Sequence, residues 1–218
     1  MTIHFEREIT DLKKNVLLLG SLVEESLDQA REALLERDHR LAKQVIKADE
    51  RIDMKEIEIE EDCLKILALH QPVATDLRFV VSVLKINNDL ERIGDLATGI
   101  ARRVKALADK PEILIPDTIS EMAYLARDMV KQSLDALVNL DYAQAEAVIN
   151  RDRKMDKLHR SMYAFTYEKI ANDRERSPAW MEVITISRFL ERIADHSTNI
   201  AEDVIYLING EIIRHSDL

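Results

Sequence analysis

The chain contains one helical phrase twice. "LERIGDLATGIARRV" occupies Leu90–Val104, and "LERIADHSTNIAEDV" occupies Leu190–Val204, 100 residues later. A second set agrees: Asp38, Ala42, Val45, Ile46, Asp49 and Asp53 return 103 residues on as Asp141, Ala145, Val148, Ile149, Asp152 and Asp156. The offset falls from 103 to 100 between the two sets, so the later copy has lost three residues around the turn between its second and third helices. A duplicated sequence constrains the fold strongly, because both halves must solve the same packing problem. Two copies around one linker predict tandem bundles rather than a solenoid.

Each copy reads as three helices. From Phe5 onward, Ile9, Leu12, Val16, Leu19, Val23, Ala30 and Leu34 keep the three-and-four spacing of a helix stripe. Asp38 is placed to cap a second helix, whose stripe runs from Leu41 through Val45, Ile52, Ile59 and Ile66 to about Leu69. Pro72 is expected in the first turn of a third helix carrying Val83, Ile86, Leu90, Ile93, Ala97, Ile100 and Val104. "DKPEILIPDT" follows, and its two prolines make it the linker. Beyond it, Thr118 with Glu121 predicts a capping box, Asp141 with Gln144 predicts another, and Ser177 before Pro178 opens a last helix that stops at Asn209 and Gly210. The expected fold is all-α: a first three-helix repeat over 1–110, a linker over 111–116 and a second three-helix repeat over 117–218. Only four Gly and four Pro in 218 residues suit long helices with few tight turns.

Composition narrows the partners. Acids outnumber bases 41 to 31, and no basic block is long enough to follow a phosphate backbone, so nucleic acid is not an expected partner. The single Cys63 leaves no internal disulfide and no Cys-rich zinc site. The longest apolar run, "VLLLGSLV", is too short to span a bilayer. A cytoplasmic protein without direct membrane insertion is expected.

The acids themselves are patterned. Asp49 with Asp53, Glu91 with Asp95, Asp152 with Asp156 and Glu191 with Asp195 are four carboxylate pairs, each at i, i+4 and in register between the copies. Like charges so placed share a helix face and cost about 0.2–0.5 kcal/mol per pair, a repulsion that a cation would relieve. If the second and third helices of each copy pack antiparallel, two carboxylates from each converge on one patch. Such oxygen ligation suits Mg, Ca, Mn or ferric iron, and the sparse Cys and His argue against structural zinc. A solvated acidic face fits the same pattern, since Glu24 with Asp28 and Glu56 with Glu60 share the spacing. Around α-helical geometry Glu91 and Asp95 lie nearly opposite Leu90, Ile93 and Ala97, facing outward or toward a partner. The copies differ locally: His159 stands where the first has Glu56, His196 follows Asp195, and Gly99 replaces the amide of Asn199, so that two metal sites of unequal affinity are expected.

Two tandem repeats with paired E(D)xxxD motifs, together with "DLRFVVSVLKINNDLERIGDLA" and "FLERIADHSTNIAEDV", resemble the phosphate-uptake regulator family, PhoU, over nearly the whole chain. The resemblance implies a cytoplasmic negative regulator of the phosphate regulon and not an enzyme. It would act as an adaptor between the phosphate ABC transporter, through its ATPase subunit, and a sensor histidine kinase. It also implies metal at Asp49, Asp53, Glu91, Asp95, Asp152, Asp156, Glu191 and Asp195, with iron, manganese, magnesium or zinc as the expected cofactor, and a homo-oligomer, expected as a dimer. The competing readings are a di-iron carboxylate, ferritin-like oxidase and a metal-free helical scaffold. The oxidase reading is weakened because such sites pair Glu with His at i+3 inside a four-helix core, and here acids pair with acids.

Overall fold

The computed structural model describes residues 3–210, and these form six helices: α1 (Ile3–Glu36), α2 (His39–His70), α3 (Ala74–Leu107), α4 (Asp117–Asn139), α5 (Tyr142–Asn172) and α6 (Ser177–Asn209). The fold is all-α, with three helices in each half. Asp38 caps α2 as its sequence position predicts, accepting from the backbone N–H groups of Arg40 at 2.8 Å and Leu41 at 2.9 Å. Asp141 does the same for α5, accepting from Gln144 N–H at 3.1 Å.

Two predicted starts move. Thr118 does not cap α4: Pro116, in extended conformation, is the capping residue, and its carbonyl accepts from Ile119 N–H at 2.9 Å. Asp117 thereby enters the first turn, where its charge complements the helix dipole. Pro72 likewise precedes α3, which begins at Ala74 after Val73. Gln71 ends α2 in the left-handed region (φ 46°), and Val73 is extended before the chain turns into α3. With so few glycines, Arg37, Gln71 and Leu140 take positive φ themselves, and only the α6 end uses Gly210.

The outer helices α2 and α5 bury narrow seams. In α2 these are Val45, Ile52, Ile59 and Ile66, seven apart; in α5 the matching residues are Val148, Met155 and Met162. Such a seam leaves most of each helix surface free. In contrast, α3 and α6 are buried on several sides, each packed within its own half and against the other. The two bundles therefore share one continuous apolar core. Their junction is antiparallel: Lys85 lies opposite Asp203 (3.2 Å), Asp89 opposite Asn199 (3.2 Å), and Gly99 opposite Phe189. Among the described residues no helix is long and apolar enough to cross a membrane.

Candidate metal clusters in the two halves

In the first half, α2 supplies Asp49 and Asp53 and α3 supplies Glu91 and Asp95. The antiparallel packing of α2 and α3 brings the four within reach of one another's charge at the edge of the helix pair, with Asp53 and Asp95 exposed to solvent. Burial pushes the Asp49 carboxyl above its ordinary range, and the charges of Asp53 and Asp95 push the same way. The Thr98 hydroxyl opposes them, close enough to favour the charged form without reaching hydrogen-bond geometry. Burial likewise raises Glu91, helped by Asp95, Glu56 and Asp53 and opposed by Arg92. Arg92 lies 3.3 Å from both Glu91 and Asp95, the local neutralisation its position suggests.

The second half repeats this on α5 and α6. Asp152 is pushed up to about 6, by burial first and then by Asp195 and Asp156. Asp195 is also pushed up to about 6, by burial, Glu191 and Asp156, against His196 and Arg192. Asp195 is an exposed residue, and solvent screens part of that push; the shared direction is what matters. Glu191 is raised by burial and by the Asp156 and Asp152 charges. Burial and neighbouring charge act together because Asp152, Glu191 and Asp195 are each taken partly out of water and set beside other carboxylates.

The duplication extends to individual atoms. Asp49 Oδ1 and Thr98 Oγ1 are buried without a hydrogen-bond partner, and so are Asp152 Oδ1 and Thr198 Oγ1, their equivalents. Glu91 Oε2 is buried too and makes no hydrogen bond, but it has the Arg92 guanidinium 3.3 Å away as its ion-pair partner. Asn87 ties the helices together beside the first cluster, donating to the Glu56 backbone at 3.0 Å and side chain at 3.1 Å. At the matching positions His159 Nδ1 meets Ser187 Oγ at 2.8 Å. A buried acceptor without a donor costs about 1–3 kcal/mol, so an orphaned carboxylate oxygen in each half fits a site that takes a positive ion. Among the described residues no three carboxylate, imidazole or thiolate groups are close enough together to hold a metal ion as they stand. Each cluster is an open acidic face, and a hard cation held there would complete its shell with water.

All eight predicted acids thus fall into two groups of four. Sequence reasoning missed Thr98, Thr198 and Glu56 as neighbours of the clusters, although the threonine is part of the repeated phrase. It also misplaced the Gly99–Asn199 difference. Asn199 does not support the acids of its own half; its amide donates across the junction to Asp89, whose carboxylate also meets His196 Nδ1 at 2.7 Å. The equivalent contact of the other half is apolar: a Cβ on Gly99 would lie 3.0 Å from the Phe189 ring. One junction contact is polar and its mate is packed, so the difference bears on how the bundles dock.

Fold and site together define an internally duplicated, all-helical protein in which each half carries one open carboxylate cluster whose glutamates have no His at i+3. The chain belongs to the PhoU family: the PhoU domain matches twice, over residues 16–104 and 119–204, once in each repeat. Its relatives include the phosphate-specific transport system accessory protein PhoU homologue of Pseudomonas putida, 38% identical over 98% of this chain and 84% of that protein. The homologue of Aquifex aeolicus is 36% identical over 97% of this chain and 96% of its own length. Among solved structures, PhoU from Pseudomonas aeruginosa superposes with a TM-score of 0.91 at 35% identity, covering 95% of this chain and all of that one. The phosphate transport system regulatory protein PhoU from Streptococcus pneumoniae gives 0.86 at 33% identity, covering 98% of this chain and all of that one.

Proposed function

We propose that this chain is a metal-binding, cytoplasmic negative regulator of the phosphate regulon, an accessory protein of phosphate-specific transport that joins a transporter ATPase subunit to a sensor histidine kinase. It performs no chemistry of its own. The observation that carries the metal part is the paired orphaning of Asp49 Oδ1 and Asp152 Oδ1 inside equivalent four-carboxylate clusters. Asp49, Asp53, Glu91 and Asp95 would hold ions in one half, and Asp152, Asp156, Glu191 and Asp195 in the other. A bound cation supplies positive charge that offsets the mutual repulsion of the acids. The chain's own part is to present oxygens from two helices at once, so that occupancy ties α2 to α3 and α5 to α6. The membership of the chain in a family whose relatives are named for phosphate-specific transport supports the partner assignment.

The test combines cofactor and partner. Protein loaded in turn with ferric, manganese, magnesium and zinc ions is desalted and its metal measured by elemental analysis, alongside capture of the purified ATPase subunit and kinase. Glu191→Gln with Asp195→Asn should lose metal from one half while keeping it in the other. Equal metal in variant and wild type removes these ligands, and a chain that never retains metal leaves the acids as a solvated scaffold face.

A further inference from the structure

The duplication provides an internal control for every surface feature, and one groove departs sharply from its twin. Between α5 and α6 runs an open groove of about 560 Å³. Its apolar part is built by Tyr163, Tyr167, Ile184 and Phe189, and its far end by Arg188 and Arg192. Tyr167 is 79% exposed and Tyr163 54%, large aromatic surfaces left in water. No Asp, Glu or Lys lines it, although the whole chain carries a net charge of −10. Applying the two repeat offsets, the positions of Tyr163, Tyr167, Arg188 and Phe189 correspond in the first half to Glu60, Leu64, Asn88 and Asp89. The last groove arginine has a twin, Arg92, but that one lies in direct ion pairs with Glu91 and Asp95, whereas among the described residues Arg188 and Arg192 reach Glu191 and Asp195 only through longer-range attraction, with no ion pair or hydrogen bond. A face of mixed charge in one copy is thus aromatic and doubly cationic in the other.

We propose that the α5–α6 groove docks an amphipathic helix of a partner protein, with its apolar stripe on Tyr163, Tyr167 and Phe189 and its acidic end on Arg188 and Arg192. Tyr, Phe, Met and Arg with depleted Lys, Glu and Asp is the composition of an interface core. A groove between two antiparallel helices accepts a further helix by the packing that makes a bundle of three into one of four. Charge complementarity selects the partner: two exposed guanidinium groups at i, i+4 on α6 feel the charge of Glu191 beside them but are held in no direct ion pair, and so can take carboxylates about one turn apart. A helix of about three turns matches the span from Met181 to Arg192, at 1.5 Å per residue. This deepens the reading of the chain as a protein-binding regulator and is independent of metal.

The probe is a fluorescent amphipathic peptide of about 15 residues, with leucines at i, i+3, i+4 and i+7 and glutamates at one end, titrated with the full chain in chelator and again with manganese. The acidic peptide should bind at least about tenfold more tightly than its lysine-substituted counterpart, and Arg188→Glu or Tyr167→Ser should weaken it by at least about tenfold. The twin variants Asn88→Glu and Leu64→Ser should leave binding unchanged. Absent binding, equal affinity for acidic and basic peptides, or sensitivity to the twin variants instead would overturn the proposal. It is also overturned if ATP displaces the peptide and binds in an Arg188-dependent way, or if light scattering finds a dimer that Tyr167→Ser converts to monomer. Peptide binding that persists in protein unable to retain metal separates this inference from the metal reading.

Discussion

Replacing Asp152 by Asn in metal-free protein should stabilise it at neutral pH. The carboxyl of Asp152 titrates near 3.8 in an open chain and is pushed up to about 6 in the fold, by burial and by Asp195 and Asp156. A shift of about two pH units corresponds to a ceiling of about 3 kcal/mol at pH 7. Asp152 is only half-buried and its neighbour Asp195 is exposed, so screening and rotamer relaxation reduce this to about 1–2 kcal/mol. For a chain of this length that is a rise in Tm of about 3–6 °C. The pH dependence has a definite sign. Because the folded pKa is raised, the folded state keeps a proton that the unfolded chain releases between pH 3.8 and about 6, so acidification through that window stabilises wild type. The variant should therefore lead at pH 7.5 and lose its lead by about pH 4. Saturating cation should reverse the order, since wild type gains about 2.7 kcal/mol at a hundredfold excess over Kd and the variant has lost a ligand. Thermal unfolding followed by circular dichroism, with chelator and with metal at three pH values, reads all of this. A variant less stable than wild type in chelator at pH 7.5, or an advantage that does not change with pH, refutes the reasoning.

Three further outcomes concern the junction of the bundles. Asp89→Ala strands His196 and the Asn199 amide and should cost about 1–3 kcal/mol by urea unfolding, with Asn199→Ala costing less. Gly99→Leu drives a side chain into Phe189 and should cost about 1–3 kcal/mol in the same assay, whereas the exposed Asn88→Ala changes little. Burial raises Glu182, but its pairs with Lys110 and Arg103 outweigh that and hold the carboxyl below its ordinary value. Its contribution should be present at neutral pH and lost as the pH falls through that depressed pKa, and Glu182→Gln should flatten the acid limb of the stability curve.

The helices were legible because their information is local. Periods of three and four, aspartates before α2 and α5, and Gly210 after α6 act within a few residues, and the repeat made each half confirm the other. The starts at Pro72 and Thr118 were misjudged because a proline can sit inside a first turn or just ahead of it, and the choice depends on how the preceding helix ends. The acid pairs were legible for the same local reason, since i, i+4 spacing fixes a shared face.

What faced that face was decided elsewhere. An apolar stripe shows that a helix side is covered, without showing by which neighbour, and α3 is covered by three helices at once. Only docking put Thr98 beside Asp49, Asn199 against Asp89 and Phe189 on Gly99, because those partners lie about 50 to 110 residues apart and meet through the packing of whole bundles. The sequence by itself determined six helices, two copies and four acid pairs. Tertiary structure decided that the pairs form two clusters, that the copies pack through an antiparallel α3–α6 seam, and that one groove was left aromatic and cationic.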